Sequence, residues 1–153
     1  MKNFILIGLF AMIASAARAT DLCLMAQDLN TYLATETGYV PPPCPKIGLA
    51  VLPAGEGLHS QAGAYFPENG RIELAPDIDL TTEYGKSYLL HELVHAAQYA
   101  NGAEKKAPCV ATLEAKAYGV QARYLIKMGD REDALTLFLL GTQLGQCGGS
   151  YED

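Results

Sequence analysis

Over residues 21–37 the apolar positions Leu22, Met25, Ala26, Leu29 and Leu33 recur at three- and four-residue intervals, and Gly38 follows where a left-handed cap is wanted. This spacing predicts an amphipathic helix. The segment Pro41-Pro42-Pro43-Cys44-Pro45 cannot extend it, because proline lacks the amide donor and restricts the residue before it. A stiff, extended connector is expected there. Beyond it the period changes: residues 47–52 form a short apolar run closed by Pro53-Ala54-Gly55, while residues 58–66 and 71–74 flank the turn sequence Pro67-Glu68-Asn69-Gly70. Three strands are predicted, the last two as a hairpin. Gly63, between Ala62 and Ala64, points to close approach of another element.

The longest regular stretch runs over residues 82–100, with Thr81 or Thr82 as the N-cap and Asn101-Gly102 as the stop. Pro108 opens a further helix over about 109–128, and Gly129-Asp130 turns the chain into a last one over about 132–144. So short a turn makes these two an antiparallel hairpin. No repeat, low-complexity tract or composition shift divides the chain. The order of elements predicts a small α+β domain with a short antiparallel or mixed sheet, a central helix and a C-terminal helical hairpin.

Residues 1–19 carry a different pattern: a charge at Lys2, an apolar stretch from Phe4 to Ala14, and small residues ending in Ala17-Arg18-Ala19. This is the composition of an export signal cleaved after Ala19, leaving one domain over residues 20–153. About 11 apolar residues are too few to span a bilayer, and no stop-transfer cluster follows, which argues against a permanent anchor. Asp21 and Leu22 before Cys23 argue against a lipid anchor there.

Composition sharpens that reading. With 50% hydrophobic and 18% charged residues over 153 positions, the chain is a folding globular protein and not a disordered one. Removal of the leader takes Lys2 and Arg18 and no acids, leaving nine basic and seventeen acidic side chains and a net charge of −8. Such a surface repels phosphate backbones and anionic headgroups, so neither nucleic acid nor membrane is expected as a partner. The oligomeric state is not legible. Cysteines 23, 44, 109 and 147 make an even set in a chain bound for a periplasmic or secreted, oxidising location, and are read as two disulfides. Three connectivities are possible. In the predicted hairpin the start of one helix lies beside the end of the other, which favours Cys109 with Cys147 and leaves Cys23 for Cys44.

The candidate chemistry sits in the long helix, as His91-Glu92-Leu93-Val94-His95. At 100° and 1.5 Å per residue the two histidines point within about 40° of each other and lie about 6 Å apart along the axis, so both imidazoles reach one ion. Glu92 falls to the side of that pair, where a general base belongs. Leu90, Leu93, Val94 and Ala97 cluster on the opposite flank and hold the helix to the core. Gln98 shares the histidine face, where it either orients a ligand or faces solvent. Nineteen residues past His95, Glu114 stands on the next helix as the candidate third ligand; His59, in a predicted strand, is the one other histidine.

Over roughly residues 64–124 the chain resembles the zincin metallopeptidases, specifically the gluzincin branch, in which a helical HExxH and a glutamate on the following helix bind zinc. The resemblance implies a zincin-like domain with His91, His95 and Glu114 as zinc ligands and Glu92 as the base that activates a metal-held water. It also implies that the strands around Ala64-Tyr65-Phe66 and Ile72-Glu73-Leu74 receive an extended peptide or protein substrate. The chain is smaller than most such peptidases, and no residue stands out as the one that steadies the transition state; Tyr118 and Arg123 are the candidates. Two readings compete with a zinc peptidase. One is a disulfide-stapled zincin-like binding or inhibitor module without turnover. The other is a plain buried helix, and it is disfavoured because two histidines and a glutamate within five residues are costly to bury without a metal.

Overall fold

The computed structural model describes residues 22–52 and 62–148. The leader, His59 and most of the first half of the second predicted strand therefore lie outside the described residues. Helix α1 spans 22–37, strands β1, β2 and β3 span Lys46–Leu49, Gly63–Phe66 and Arg71–Leu74, and helices α2, α3 and α4 span Glu83–Ala100, Val110–Met128 and Arg131–Leu144. The fold is α+β with a three-stranded mixed sheet in the order β1-β3-β2.

The hairpin is the predicted one. Strands β2 and β3 pair antiparallel with Tyr65 opposite Ile72, and the intervening turn closes through the Asn69 and Gly70 amides, which both donate to the Phe66 carbonyl. Along β3 the period of two is clean: Ile72 and Leu74 are fully buried, while Arg71 and Glu73 pair with each other at 2.9 Å on the other face. Strand β1 joins on the far side of β3, parallel, with Ile47 opposite Ile72. It is shorter than the apolar run that predicted it. The Ala50 amide still donates to the Leu74 carbonyl at 3.0 Å, but β3 ends there and Pro76 has no amide to continue the ladder, so Val51 and Leu52 have no partner strand among the described residues.

Helix α2 starts on Thr82, whose hydroxyl accepts from the Gly85 amide at 2.9 Å, and stops at Asn101. The Asn101 side chain also bonds both backbone groups of Val40 and so ties the end of α2 to the chain that follows α1. Packed against β2 and β3 and also against α3, α2 is the central helix. Its residues Leu89, Leu90, Leu93, Val94 and Ala97 are fully buried and join Leu33, Ile72, Leu74, Val120 and Leu125 in one core. Helix α3 begins one residue later than expected, with Cys109 as its N-cap, and α4 one residue earlier, with Asp130 accepting from the Asp133 amide. The two pack as the expected antiparallel hairpin.

Disulfides Cys109–Cys147 and Cys23–Cys44 have the expected connectivity, with Cα separations of 5.8 and 5.5 Å. The first closes the open end of the α3–α4 hairpin. The second fastens α1 to the proline-rich connector. Such bonds fit an extracellular or otherwise oxidising location. Among the described residues no helix is long and apolar enough to cross a membrane.

Candidate metal centre

Helices α2 and α3 bring His91, His95 and Glu114 together. The two Nε2 atoms lie 3.1 Å apart, and the Glu114 carboxylate straddles them, with Oε2 3.3 Å from His91 Nε2 and Oε1 3.3 Å from His95 Nε2. One ligand atom from each residue can be chosen so that all three lie within 4.8 Å of one another. The side chains are 8%, 12% and 28% exposed in that order, so the cluster is buried on its histidine side and opens beside Glu114.

The far side of each imidazole is fixed by a buried glutamine. His91 Nδ1 lies 3.0 Å from Gln121 Oε1, and Gln121 Nε2 donates to Ser87 Oγ at 3.0 Å. His95 Nδ1 lies 2.9 Å from Gln98 Oε1, and Gln98 Nε2 donates to the Leu113 carbonyl at 2.9 Å. Because Ser87 gives its own proton to the Tyr84 carbonyl and the Leu113 oxygen has none, both amides must present nitrogen to those anchors and oxygen to the histidines. Both rings therefore donate from Nδ1, and their Nε2 atoms face the cluster.

This arrangement carries an electrostatic conflict. In the neutral rings two Nε2 lone pairs face each other and a carboxylate across 3.1–3.3 Å, with no donor among them. Only a cation or a proton between them removes the repulsion. Burial opposes the His95 imidazolium, but the Glu114 hydrogen bond and charge, with Glu92 and the Gln98 amide, raise its pKa to about 9. Burial likewise opposes ionisation of Glu114, yet the two histidines hold its carboxyl well below the usual carboxylate range. A zinc ion with bonds of about 2.0–2.1 Å spaces tetrahedral ligands about 3.3–3.4 Å apart. The His–His separation of 3.1 Å and the 3.3 Å from each ring to its nearer Glu114 oxygen come close to that spacing, and two imidazoles with one carboxylate are a donor set suited to such an ion.

Glu92 lies off the ligand triangle. It is 6% exposed and sits against β2: a Cβ added to Gly63 would meet both its Cγ and its Oε1 at 2.8 Å. The close approach expected at Gly63 is thus the seat of Glu92. Burial pushes the Glu92 pKa up, while the nearby charges of His91 and His95 and a Tyr65 backbone hydrogen bond offset part of the rise.

Gln98, expected on the histidine face, orients His95 rather than its heptad neighbour His91. Gln121 and Ser87 escaped sequence reasoning, although a signal existed: Gln121 is seven residues past Glu114 and Ser87 four before His91, each on the ligand face of its helix. The Tyr118 ring stands edge-on to His91 with centroids 4.5 Å apart, seated under α4 where Gly141 leaves room: a Cβ there would fall 2.5 Å from Tyr118 Cβ. Arg123 is engaged elsewhere, donating to Glu36 of α1 at 2.7 Å. A separate cavity of about 290 Å³, walled by Tyr39, Asn101, Lys106, Thr112 and Lys116, includes none of the cluster residues.

Fold and site together define a small α+β protein with a buried His-His-Glu cluster between two helices. The chain belongs to a family described as Domain of unknown function (DUF6647), whose model matches residues 46–139 and so spans the whole cluster. No curated protein and no solved structure matches it.

Proposed function

We propose that this protein is an exported zinc-dependent hydrolase, a small metallopeptidase with His91, His95 and Glu114 as ligands and Glu92 as general base. The observation that carries the reading is the convergence of two Nε2 atoms and a carboxylate from two helices on one point, each ring held by a glutamine so that its Nε2 faces the cluster. The helical HExxH with a glutamate on the next helix supports a gluzincin-like assignment. The leader and the two disulfides support export to a periplasmic or extracellular location.

Bound zinc supplies a Lewis acid that lowers the pKa of a water molecule toward about 7 and polarises an amide carbonyl. The chain's own groups do the rest. Glu92, buried against the β2 backbone with its pKa raised, takes the proton of the attacking water and returns it to the departing amine. His91 and His95, fixed as Nδ1–H rings, turn both Nε2 atoms toward the cluster, where they would hold the ion. With two neutral rings and one carboxylate as its donors, the site would keep a formal charge near +1 on a divalent ion and so would favour negative charge developing on a substrate oxygen.

The test is a chelator-controlled peptide-library digestion by the zinc-loaded protein and by Glu92→Gln. Cleavage by the wild type, abolished by chelator and reduced about 10²–10⁴-fold in Glu92→Gln at unchanged zinc content, is the expected outcome. Equal cleavage by Glu92→Gln would remove Glu92 as the base. A zinc-loaded wild type that cuts nothing would leave a zinc-holding binding or inhibitor module.

A further inference from the structure

We infer that Gln98 and Gln121 are positioning residues that form a reciprocal lock across the α2–α3 interface and make zinc affinity depend on neutral amides; this rests on the zinc reading above. Each histidine is carried by α2, but each is oriented by an amide whose other end is fastened across the interface. Gln98, on α2, reaches the Leu113 carbonyl of α3, the residue just before the ligand Glu114. Gln121, on α3, reaches back to Ser87 of α2, which is anchored on its own helix at the Tyr84 carbonyl. The two bridges run in opposite directions and bracket the ligand set. Slippage of α2 along α3 would break one of them and swing an Nε2 away from Glu114.

Both glutamines are fully buried, and every polar atom of their amide groups that faces the site or the opposite helix has a partner. Two buried amides within one interface are costly unless satisfied, and here each is satisfied only if the histidine it meets is a donor at Nδ1. The amides therefore select the ring tautomer as well as the ring orientation. A carboxylate in the same place would do the same and add negative charge behind the ligand, making the imidazole a stronger donor.

The two anchors differ in a way that gives the inference a sharp test. Ser87 has a hydroxyl that can turn and donate to a carboxylate, whereas the Leu113 carbonyl can only accept. Gln121→Glu therefore keeps a workable bridge, but Gln98→Glu sets a carboxylate oxygen against a carbonyl oxygen. Zinc dissociation constants measured by competition with a chromophoric chelator, on protein shown folded by circular dichroism, are expected to rank accordingly. Gln121→Met and Gln98→Met, close in volume but without the amide, each weaken zinc about 10- to 100-fold. Gln121→Glu stays within about three-fold of wild type, rescuing what methionine loses, whereas Gln98→Glu loses as much as Gln98→Met.

A purely packing role predicts a different ranking, with all four variants losing stability while the folded fraction binds zinc as wild type does. Zinc binding by Gln121→Met within three-fold of wild type, or a Gln121→Glu as weak as Gln121→Met, overturns the inference. Should Gln121→Met not fold, Ser87→Ala removes the anchor without touching the glutamine. It is expected to weaken zinc several-fold, and unchanged affinity there overturns the lock equally. A wild type that binds no zinc at all overturns the metal reading itself, an outcome distinct from a zinc-binding wild type with indifferent variants.

Discussion

Helices α2 and α4 both pack on α3, and each inverts the ordinary distribution of side chains in the opposite sense. Helix α2 buries Ser87, His91, Glu92 and Gln98, and α4 leaves Leu135, Phe138 and Leu139 between 55% and 59% exposed. Buried polar groups carry more information than exposed apolar ones, because they persist only where partners offset their desolvation. In α2 those partners form a connected set: Ser87 with Gln121, His91 with Gln121, His95 with Gln98, both histidines with Glu114. Helix α4 is held instead by a narrow strip of Ala134, Leu137 and Gly141 and by the disulfide that closes its hairpin. Specific geometry is concentrated in α2, and generic packing with a covalent staple suffices for α4.

The largest effect expected from breaking this contrast is on Glu114, through which α3 completes the set begun on α2. Glu114→Ala removes a ligand itself and is expected to weaken zinc by more than the 10- to 100-fold typical of losing a ligand's supporting hydrogen bond. Chelator competition measures it, and affinity within that smaller range would demote Glu114 to a supporting role.

Next in size are the staples. The 38-residue separation of Cys109 and Cys147 against 21 for Cys23 and Cys44 gives contributions of about 4 and about 3 kcal/mol by loop-closure entropy. Cys109→Ser is expected to lower the melting temperature at least as much as Cys23→Ser and to cost more zinc affinity, because Glu114 stands five residues from Cys109. A Cys23→Ser variant that released zinc more readily would reverse the importance of the two ends.

Gly63→Ala acts on Glu92 alone among the site residues. The new methyl has to displace the glutamate or the strand, and overpacking of this kind costs about 1–3 kcal/mol. Hydrolysis is expected to fall while zinc content stays full, with thermal melts and metal analysis read on the same sample. Undiminished cleavage would mean that the seat against β2 does not matter to the base.

The smallest effect is expected on α4. Leu139→Lys lies on the exposed row, where substitutions change stability by about 0.5 kcal/mol or less, and zinc affinity should not move. A several-fold loss of zinc from that variant would show that the two helices are not as separable as their packing suggests.

Much of this organisation is legible in the sequence where the cause is local. Thr82, Asn101 and Asp130 mark helix ends because capping chemistry acts within a turn, and Pro67-Glu68-Asn69-Gly70 marks the hairpin for the same reason. The histidine pair and Glu92 follow from the 3.6-residue period, and Glu114 from a loop long enough to lay α3 alongside α2. The parallel pairing of β1 with β3 is not legible, because nothing near residues 46–49 encodes a partner 25 residues away. Nor is the Gln98–Leu113 bridge: it depends on the axial offset of two helices, which packing sets. Gln121 had the right spacing from Glu114, but a glutamine on a helix face has no chemistry of its own to single it out.

Elemental analysis of the purified protein tests most directly whether His91, His95 and Glu114 hold one metal ion. One zinc per chain is expected in the wild type after dialysis against metal-free buffer, and none in His91→Ala or His95→Ala, because the two ligands that remain cannot hold the ion. A wild type without metal after incubation with zinc, or full zinc occupancy in both variants, would contradict that assignment.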